Sequence, residues 1–434
     1  MAGIGAIASI SADPHPCTPT PPTPLATRSP VLAARNAANR KLPGRFYGSV
    51  LAPPEYYDNR PGDHPDNHPH SLPFPKTPMP RHLTVAIPTY NGAERLPLVL
   101  DRLMHQQHLD QVDWEVMVVD NNSTDATAIV VKTHQEHWQQ HFEEAGWATP
   151  VPLHYLTEPR QGAAYGRQKA VEMAEGEWIA FLDDDNVPAP DWIFQALTFI
   201  EKYDKNGESL GAISGQIHGV FPDGNSPDLI QYIRPFLAIV ERGDRPFPYD
   251  IKHKLLPPSA GLVVRRKAWQ RSVPKKLLLG GRTADCMLTS EDLETLVYLQ
   301  RQGWEIWYNP AMEIDHLIPQ GRLERQYLIP FLKGIGLTRS VIRMLRLPLW
   351  QRPLWTLIYA LNDARRLTQH LLQSRKQGQN QLLTDCKTIF LQSTFMSPLF
   401  IMIWKIRQQG ALWRSPSLKS RSTSSISATE PHLK

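Results

Sequence analysis

The central part of this chain predicts an α/β fold, a mostly parallel sheet with helices on both faces. Three observations carry that expectation. Short apolar runs alternate with stretches of helical period between residues 83 and 182. The runs at 83–90, 115–119 and 178–182 each lead into polar or acidic residues, at the strand ends where open α/β sheets bind ligands. Hydrophobic residues make up 41% of 434, enough for a large core, which excludes a disulfide miniprotein or a wholly disordered chain.

Order is expected from about Arg81. Leu83–Tyr90 reads as a buried strand that ends at Asn91-Gly92, and Ala93–His105 has apolar residues at helical spacing. Glu115–Val119 is a second apolar run, closed by Asp120. Asp125–Glu136 reads as a helix capped by Ser123 or Asp125. Leu153–Leu156 is a short third strand, Ala163–Glu175 a helix, and Trp178–Leu182 a fourth strand. The alternation β-α-β-α-β-α-β implies parallel pairing through crossovers. The catalytic domain is expected to occupy 81–321.

The flanks differ. Residues 1–80 hold 17 of the 40 prolines, and proline resists helix and sheet alike, so this segment is expected to be disordered or extended. It also reads as an extension that could precede the natural start. Met1–Ala12 is apolar, but the first basic residue is Arg28, so a secretory signal is not expected. Residues 322–434 carry 18 Lys and Arg against 4 Asp and Glu, whereas 1–321 carry 29 against 38. That asymmetry suggests a polyanionic partner for the C-terminal part. Within 322–410, Leu323–Arg346 is basic and helical in pattern, Pro353–Asn362 is uncharged and aromatic-rich, and Thr388–Trp404 is uncharged. The last of these falls short of the ~20 apolar residues that cross a bilayer. It reads as a helix lying in a membrane interface, with a core helix or a true span as alternatives. Residues 411–434 are Ser-rich and expected to be disordered. Cys17, Cys286 and Cys386 are too few and too far apart for a disulfide framework or a zinc site, and they fit a reducing compartment.

Asp183-Asp184-Asp185 follows the fourth strand. Three carboxylates there repel one another, and a divalent cation with oxygen ligands, Mg²⁺ or Mn²⁺, resolves the repulsion and can bind a diphosphate. The plainer reading is an acidic turn before the next helix. Asp120 can accept hydrogen bonds from a ribose or base, or merely cap a turn. The first strand is followed by Pro88-Thr89-Tyr90-Asn91-Gly92 and not by a Gly-x-Gly-x-x-Gly loop, which argues against a nicotinamide dinucleotide. Pro88, Tyr90 and Asn91 suit a nucleoside pocket, although Asn-Gly is first a turn signal. Glycines and arginines between Glu158 and Arg167 open a helix and favour anion contact, or form a solvated loop. Ser290-Glu291-Asp292 is a second acidic centre. One of its carboxylates can take a proton from an acceptor hydroxyl, or both can belong to an acidic helix start capped by Ser290. His316 is a possible metal ligand or a satisfied core histidine.

Taken together, these motifs resemble a family 2 glycosyltransferase with the GT-A fold, over about Thr84 to Arg325. The finer pattern is similar to cyanobacterial hormogonium polysaccharide biosynthesis glycosyltransferases. It rests on Ala86-Ile87-Pro88-Thr89-Tyr90-Asn91-Gly92-Ala93-Glu94-Arg95-Leu96-Pro97, on Ser214-Gly215-Gln216-Ile217-His218-Gly219, on Ala260-Gly261-Leu262-Val263-Val264-Arg265-Arg266, and on Gly303-Trp304-Glu305-Ile306-Trp307-Tyr308-Asn309-Pro310. The resemblance implies that Asp120 contacts the nucleobase and that Pro88, Tyr90, Asn91 and Glu94 line the nucleoside pocket. It implies a DXD element of Asp183 and Asp185, with Asp184 among the donor-binding residues and Asp185 nearest the metal. Asp292 takes the place of the catalytic base, with Glu291 beside it. Arg167 stands for the Arg of an Ala-Arg-Asn element, and His316 for a late metal ligand. Gly166 and Gln168 depart from that element and bear on the donor contacts. The implied reaction is inverting transfer from a nucleotide-diphosphate sugar, with Mn or Mg, to a saccharide or lipid-linked saccharide. The expected location is the cytoplasm, at the membrane's cytoplasmic face. The rival is a non-catalytic sugar-nucleotide-binding component of an assembly complex, which would not need Asp292. No nucleic-acid partner is expected, since the basic region lacks a recognised module.

Overall fold

The computed structural model describes residues 83–147, 150–204, 209–250, 255–281, 287–374 and 381–414, with side chains as far as Trp404. Residues 1–80, most of 411–434, Cys17 and Cys286 lie outside the described residues.

Strand β1 (Leu83–Thr89) is buried almost throughout, and β2 (Trp114–Asp120) is buried at every position. A strand covered on both faces reads as a continuous apolar run, which is why these segments lack polar alternation. Between them lies α1 (Leu96–Met104). It begins later than expected because Pro97 sits in its first turn, where the missing N–H costs nothing. Next come α2 (Thr127–Glu144), β3 (Leu153–Thr157), α3 (Ala163–Met173) and β4 (Trp178–Phe181). Helix α2 runs two turns beyond the expected Glu136, where Trp138 and Phe142 are buried against the sheet. Its N-cap is Ala126, not Ser123 or Asp125. Ser123 Oγ accepts from the Asn91 N–H instead. The Asp125 carboxylate takes the N–H groups of Thr127 and Ala93. Both side chains are occupied in joining two loops.

The remaining elements are β5 (Asn186–Pro188), α4 (Trp192–Tyr203), β6 (Leu210–Val220), α5 (Pro227–Ile233), β7 (Phe247–Pro248), β8 (Leu262–Arg265), α6 (Arg266–Ser272), α7 (Glu291–Arg301) and β9 (Glu305–Leu317). Three long helices close the described chain: α8 (Arg325–Leu345), α9 (Arg352–Ser374) and α10 (Gln381–Arg414).

The sheet order is β3-β2-β1-β4-β8-β6-β9-β5, with β7 also on β9. The first four strands are parallel, as the alternation of strand and helix requires. Beyond β4 the sheet is mixed. Strand β8 is antiparallel to β4 and β6, β6 is parallel to β9, and β5 and β7 are antiparallel to β9. The "mostly parallel" expectation thus describes only the first half, because the later strands are not joined by simple strand–helix–strand units. Trp138, Trp178, Trp192 and Phe181 are among the largest fully buried side chains. A second apolar cluster, including Leu229, Ile233, Ile318, Leu328, Leu332 and Phe390, ties α5 and the end of β9 to α8 and α10.

Candidate active site

Parallel register brings the ends of the first strands to one edge: Thr89 pairs with Asp120, and Asp120 with Thr157. The loops that follow are stitched together. Asn91, in a left-handed conformation with φ 50°, donates its N–H to Ser123 Oγ and accepts the Thr124 N–H on its side-chain oxygen. Gly92 N–H donates to Thr127 Oγ1. A Cβ on Gly92 would lie 2.1 Å from Thr89 Oγ1 and 2.7 Å from an Asp184 oxygen, so only glycine fits. Tyr90 and Glu94 are exposed and Pro88 is half-buried on the same rim. The Pro88, Tyr90, Asn91 and Glu94 group therefore does gather at one place.

Asp120 is buried. Its two oxygens accept from Ser123 N–H at 2.8 Å and from the Tyr155 hydroxyl at 2.5 Å. Burial, together with Asp120, pushes the Tyr155 hydroxyl far up, so it remains a donor. Asn121 grips the next loop: its amide donates to the carbonyls of Glu158 and Arg160 and accepts the Gly162 N–H. Arg160 does not present itself to an anion, as the loop composition suggested. It forms a two-point bond to the Glu158 carboxylate and lies over the Tyr165 ring.

The three aspartates after β4 part company, each to its own arginine. Asp183 is bound by Arg167 Nη2 at 3.0 Å. Asp184 is bound by Arg95 at 2.9 Å through two nitrogens and by Thr89 Oγ1 at 2.6 Å. Asp185 is bound by Arg322 Nη2 at 2.8 Å. Asp184 therefore fastens the first loop to the fourth, with both of its oxygens engaged by Arg95 and Thr89. Its carboxyl is nonetheless raised, because burial outweighs Arg95. The repulsion that suggested a metal is relieved in the protein by three guanidinium groups.

Arg167, fully buried on α3, bridges two centres. Its Nη1 donates to Glu291 at 2.9 Å while Nη2 holds Asp183. Burial lowers its affinity for a proton, but Asp183, Glu291 and Asp292 more than restore it. Arg167 Nε and Glu291 Oε2 are buried with no partner among the described residues. Asp292 is the neighbour of Glu291 at the start of α7. Its oxygens accept the N–H groups of Leu293 at 2.8 Å and Ser259 at 3.3 Å. Burial and the Glu291 charge push its carboxyl up to about 6 against the pull of Arg167. Ser290 stands at the N-cap but makes no capping bond. It adopts φ 82°, and its hydroxyl meets Thr338 on α8.

His316 lies on β9 opposite Asn186 on β5. Its Nδ1 lies 2.9 Å from the Leu237 carbonyl and must be the protonated nitrogen. Nε2 then faces Arg322 at 3.2 Å and Asp185 at 3.5 Å. Burial pushes the Asp185 carboxyl up, but His316, Arg322 and Arg95 overcome it and hold it below the ordinary range. One imidazole nitrogen and one carboxylate, buried side by side, match the donor set of a cation completed by substrate phosphates. Asp183 is turned to Arg167 and does not join them. Among the described residues no group of three or more His, Cys, Asp and Glu side chains converges on a metal position.

The sequence reading missed Arg95, Tyr155, Asn121 and Arg322. Arg322 counted only as one charge in a basic region, and Tyr155 only as a strand residue. Gln168, the departure from the expected Asn, accepts from the Trp269 indole at 3.0 Å.

Residues 84–242 match the family model described as Glycosyl transferase family 2. The glycosyltransferase AglE of Haloferax volcanii is 26% identical over 145 residues, 33% of this chain and 42% of that protein. The amylovoran biosynthesis glycosyltransferase AmsB of Erwinia amylovora is 27% identical over 142 residues, 33% of this chain and 43% of that protein. The chain thus spans about two fifths of the length of these curated relatives. Among solved structures, the mannosyltransferase PcManGT from Pyrobaculum calidifontis, in complex with GDP-Man and Mn²⁺, is 17% identical. That likeness covers 77% of this chain and 75% of that one, with a TM-score of 0.40. The matched segment contains Asp120, Arg167 and Asp183–Asp185, while Glu291, Asp292 and His316 lie beyond it. The match to the glycosyl transferase family 2 model thus falls on residues 84–242, in a mixed sheet flanked by helices on both sides.

Proposed function

We propose that this protein transfers a sugar from a nucleotide-diphosphate donor to an acceptor hydroxyl in polysaccharide assembly, with inversion at the anomeric carbon. The hormogonium-type pattern in the sequence and the polysaccharide role in the name of the Erwinia relative support that setting. The observation that carries the chemistry is Asp292, a half-buried carboxylate held by the N–H groups of Leu293 and Ser259 beside the Arg167–Glu291 pair and raised to about 6. Such a group is ionised at neutral pH yet basic enough to accept a proton in a transition state.

The nucleoside sits on the rim formed by Pro88, Tyr90, Asn91 and Glu94, with Asp120 toward the base. Tyr155 and the Ser123 N–H hold the Asp120 carboxylate in orientation. Asp292 takes the acceptor's hydroxyl proton while that oxygen bonds to the anomeric carbon. The bond from that carbon to the diphosphate breaks, and the nucleoside diphosphate leaves. The N–H groups of Leu293 and Ser259 keep Asp292 aimed. Arg167 holds the neighbouring Glu291 carboxylate at 2.9 Å. A divalent cation, Mn or Mg, would be held by Asp185 and His316 and would neutralise charge on the diphosphate.

The experiment is release of nucleoside diphosphate from a panel of nucleotide sugars with Mn²⁺, Mg²⁺ or EDTA, with and without saccharide acceptors. Metal-dependent release from one donor is expected. Asp292→Asn should bind that donor and fail to turn it over, and Asp185→Ala should lose metal-dependent donor binding. Wild-type turnover by Asp292→Asn would refute the base, and donor binding by the wild type without release from any donor would make the non-catalytic binding role the better account.

A further inference from the structure

Helix α9 and the middle of α10 are packed with polar side chains inward. In α9 the buried residue is Asp363, whose carboxylate is bonded by Arg343 of α8. The large apolar side chains face out: Leu354, Leu357 and Leu361 are exposed at steps of three and four. Trp350, in the turn that leads into the helix, is 79% exposed. The middle of helix α10 repeats the inversion. Ser393, Thr394 and Ser397 are buried while Phe395, Met396 and Leu399 are exposed, whereas Leu383, Cys386, Phe390 and Ile401 on the same helix are buried. A water-facing helix has the opposite pattern.

The contact between α8 and α10 is built for close approach. A Cβ on Gly336 would lie 1.9 Å from Ser393 Oγ. Ser397 Oγ donates to the Leu337 carbonyl at 2.6 Å and accepts the Ser340 N–H at 2.9 Å. Small residues and hydroxyls at a helix contact, with large apolar residues turned away, are how helices pack in lipid. Gln381–Trp404 is also long and apolar enough to cross a membrane by length and composition. This stretch is longer than the 17-residue segment apparent from sequence, because the helix continues back through Lys387 and Asp385.

We propose that the outward faces of α9 and α10 dock on an anionic lipid bilayer. Charge decides between a bilayer and a second copy of the chain. Residues 322–434 hold 18 basic and 4 acidic residues, so two copies of this segment would repel, whereas an anionic surface attracts it. Arg365 and Arg366 are exposed on α9, and Arg365 lies one helical step beyond Leu361. The docking surface is separate from the residues assigned to donor chemistry.

The test is flotation of the full-length protein with vesicles of phosphatidylcholine alone, or with about one third phosphatidylglycerol. The wild type is expected to float with the anionic vesicles, and less so at high salt. Leu354→Gln/Leu357→Gln/Leu361→Gln should bind them at least about tenfold more weakly. Its circular dichroism and donor turnover with a soluble acceptor should be unchanged. Arg365→Glu/Arg366→Glu should lose the preference for anionic vesicles, and it remains informative if the triple variant does not fold. A wild type that stays with the soluble fraction in every vesicle preparation overturns the proposal. So does a wild-type dimer in light scattering that the triple variant dissociates, since a second copy would then cover the face.

Discussion

Replacing Glu291 by Gln should move the acid limb of the activity profile to lower pH. Asp292 is raised from 3.8 to about 6 by burial first and by the Glu291 charge second, with Arg167 opposing. A base of that pKa is about one tenth ionised at pH 5 and about nine tenths at pH 7, so kcat/KM for the acceptor should rise roughly tenfold over that interval. Glu291→Gln removes the like charge and frees one arm of Arg167, which now bonds Glu291 Oε1 at 2.9 Å. Both changes favour the Asp292 carboxylate. A shift of the limb by roughly one unit is expected, which leaves about half of the plateau rate at pH 5. The assay is initial-rate release of nucleoside diphosphate between about pH 4.5 and 8 at saturating donor. A limb that stays in place, or moves to higher pH, would show that Asp292 is not the titrating base. Stability gives a second reading. A carboxyl raised in the folded state costs stability above its folded pKa, and the cost disappears as pH falls from about 6 toward the unfolded value of 3.8. Asp292→Asn should therefore be inactive yet more stable at pH 7, by up to about 3 kcal/mol, and no more stable at pH 4.

Three other outcomes follow from the packing. Gly92→Ala should destabilise the protein by about 2–4 kcal/mol in denaturant unfolding, since the new methyl meets Thr89 and Asp184 where neither can withdraw without losing their mutual bond. Tyr155→Phe should weaken donor binding about three- to tenfold in calorimetry with little change in turnover at saturation, because it removes the hydroxyl that orients Asp120. Arg95→Ala should lower stability by about 1–3 kcal/mol at pH 7 and by less at pH 4, as the buried Asp184 loses the cation that keeps it ionised. Arg95 is partly exposed, which trims the effect.

The edge of the sheet that carries the candidate site was legible in the sequence. Strand ends in a parallel sheet are a ligand-binding edge whatever the sequence, so acidic residues directly after apolar runs marked Asp120 and Asp183–Asp185. Asp292 was legible only through its family pattern, since an acid in a first helical turn is commonplace. What could not be read was the pairing. Arg95 lies 89 positions from Asp184, Arg167 lies 124 from Glu291, and Arg322 lies far from Asp185 in sequence, and nothing local announces any of these contacts.

Sequence alone therefore determined where the first four strands run and which edge carries acidic residues, because burial periodicity and strand-end polarity are local properties. Tertiary structure decided which partner each carboxylate meets. It gave Asp184 to a structural arginine and Asp183 to Arg167. It left Asp185 with His316, and it raised Asp292 by burying it beside Glu291. It also decided which way the C-terminal helices face. A helical period shows that α9 has an apolar stripe, but only packing shows that the stripe points away from the protein while Asp363 points in. Those outcomes depend on partners distant in sequence, whose charges and contacts exist only once the chain has closed on itself.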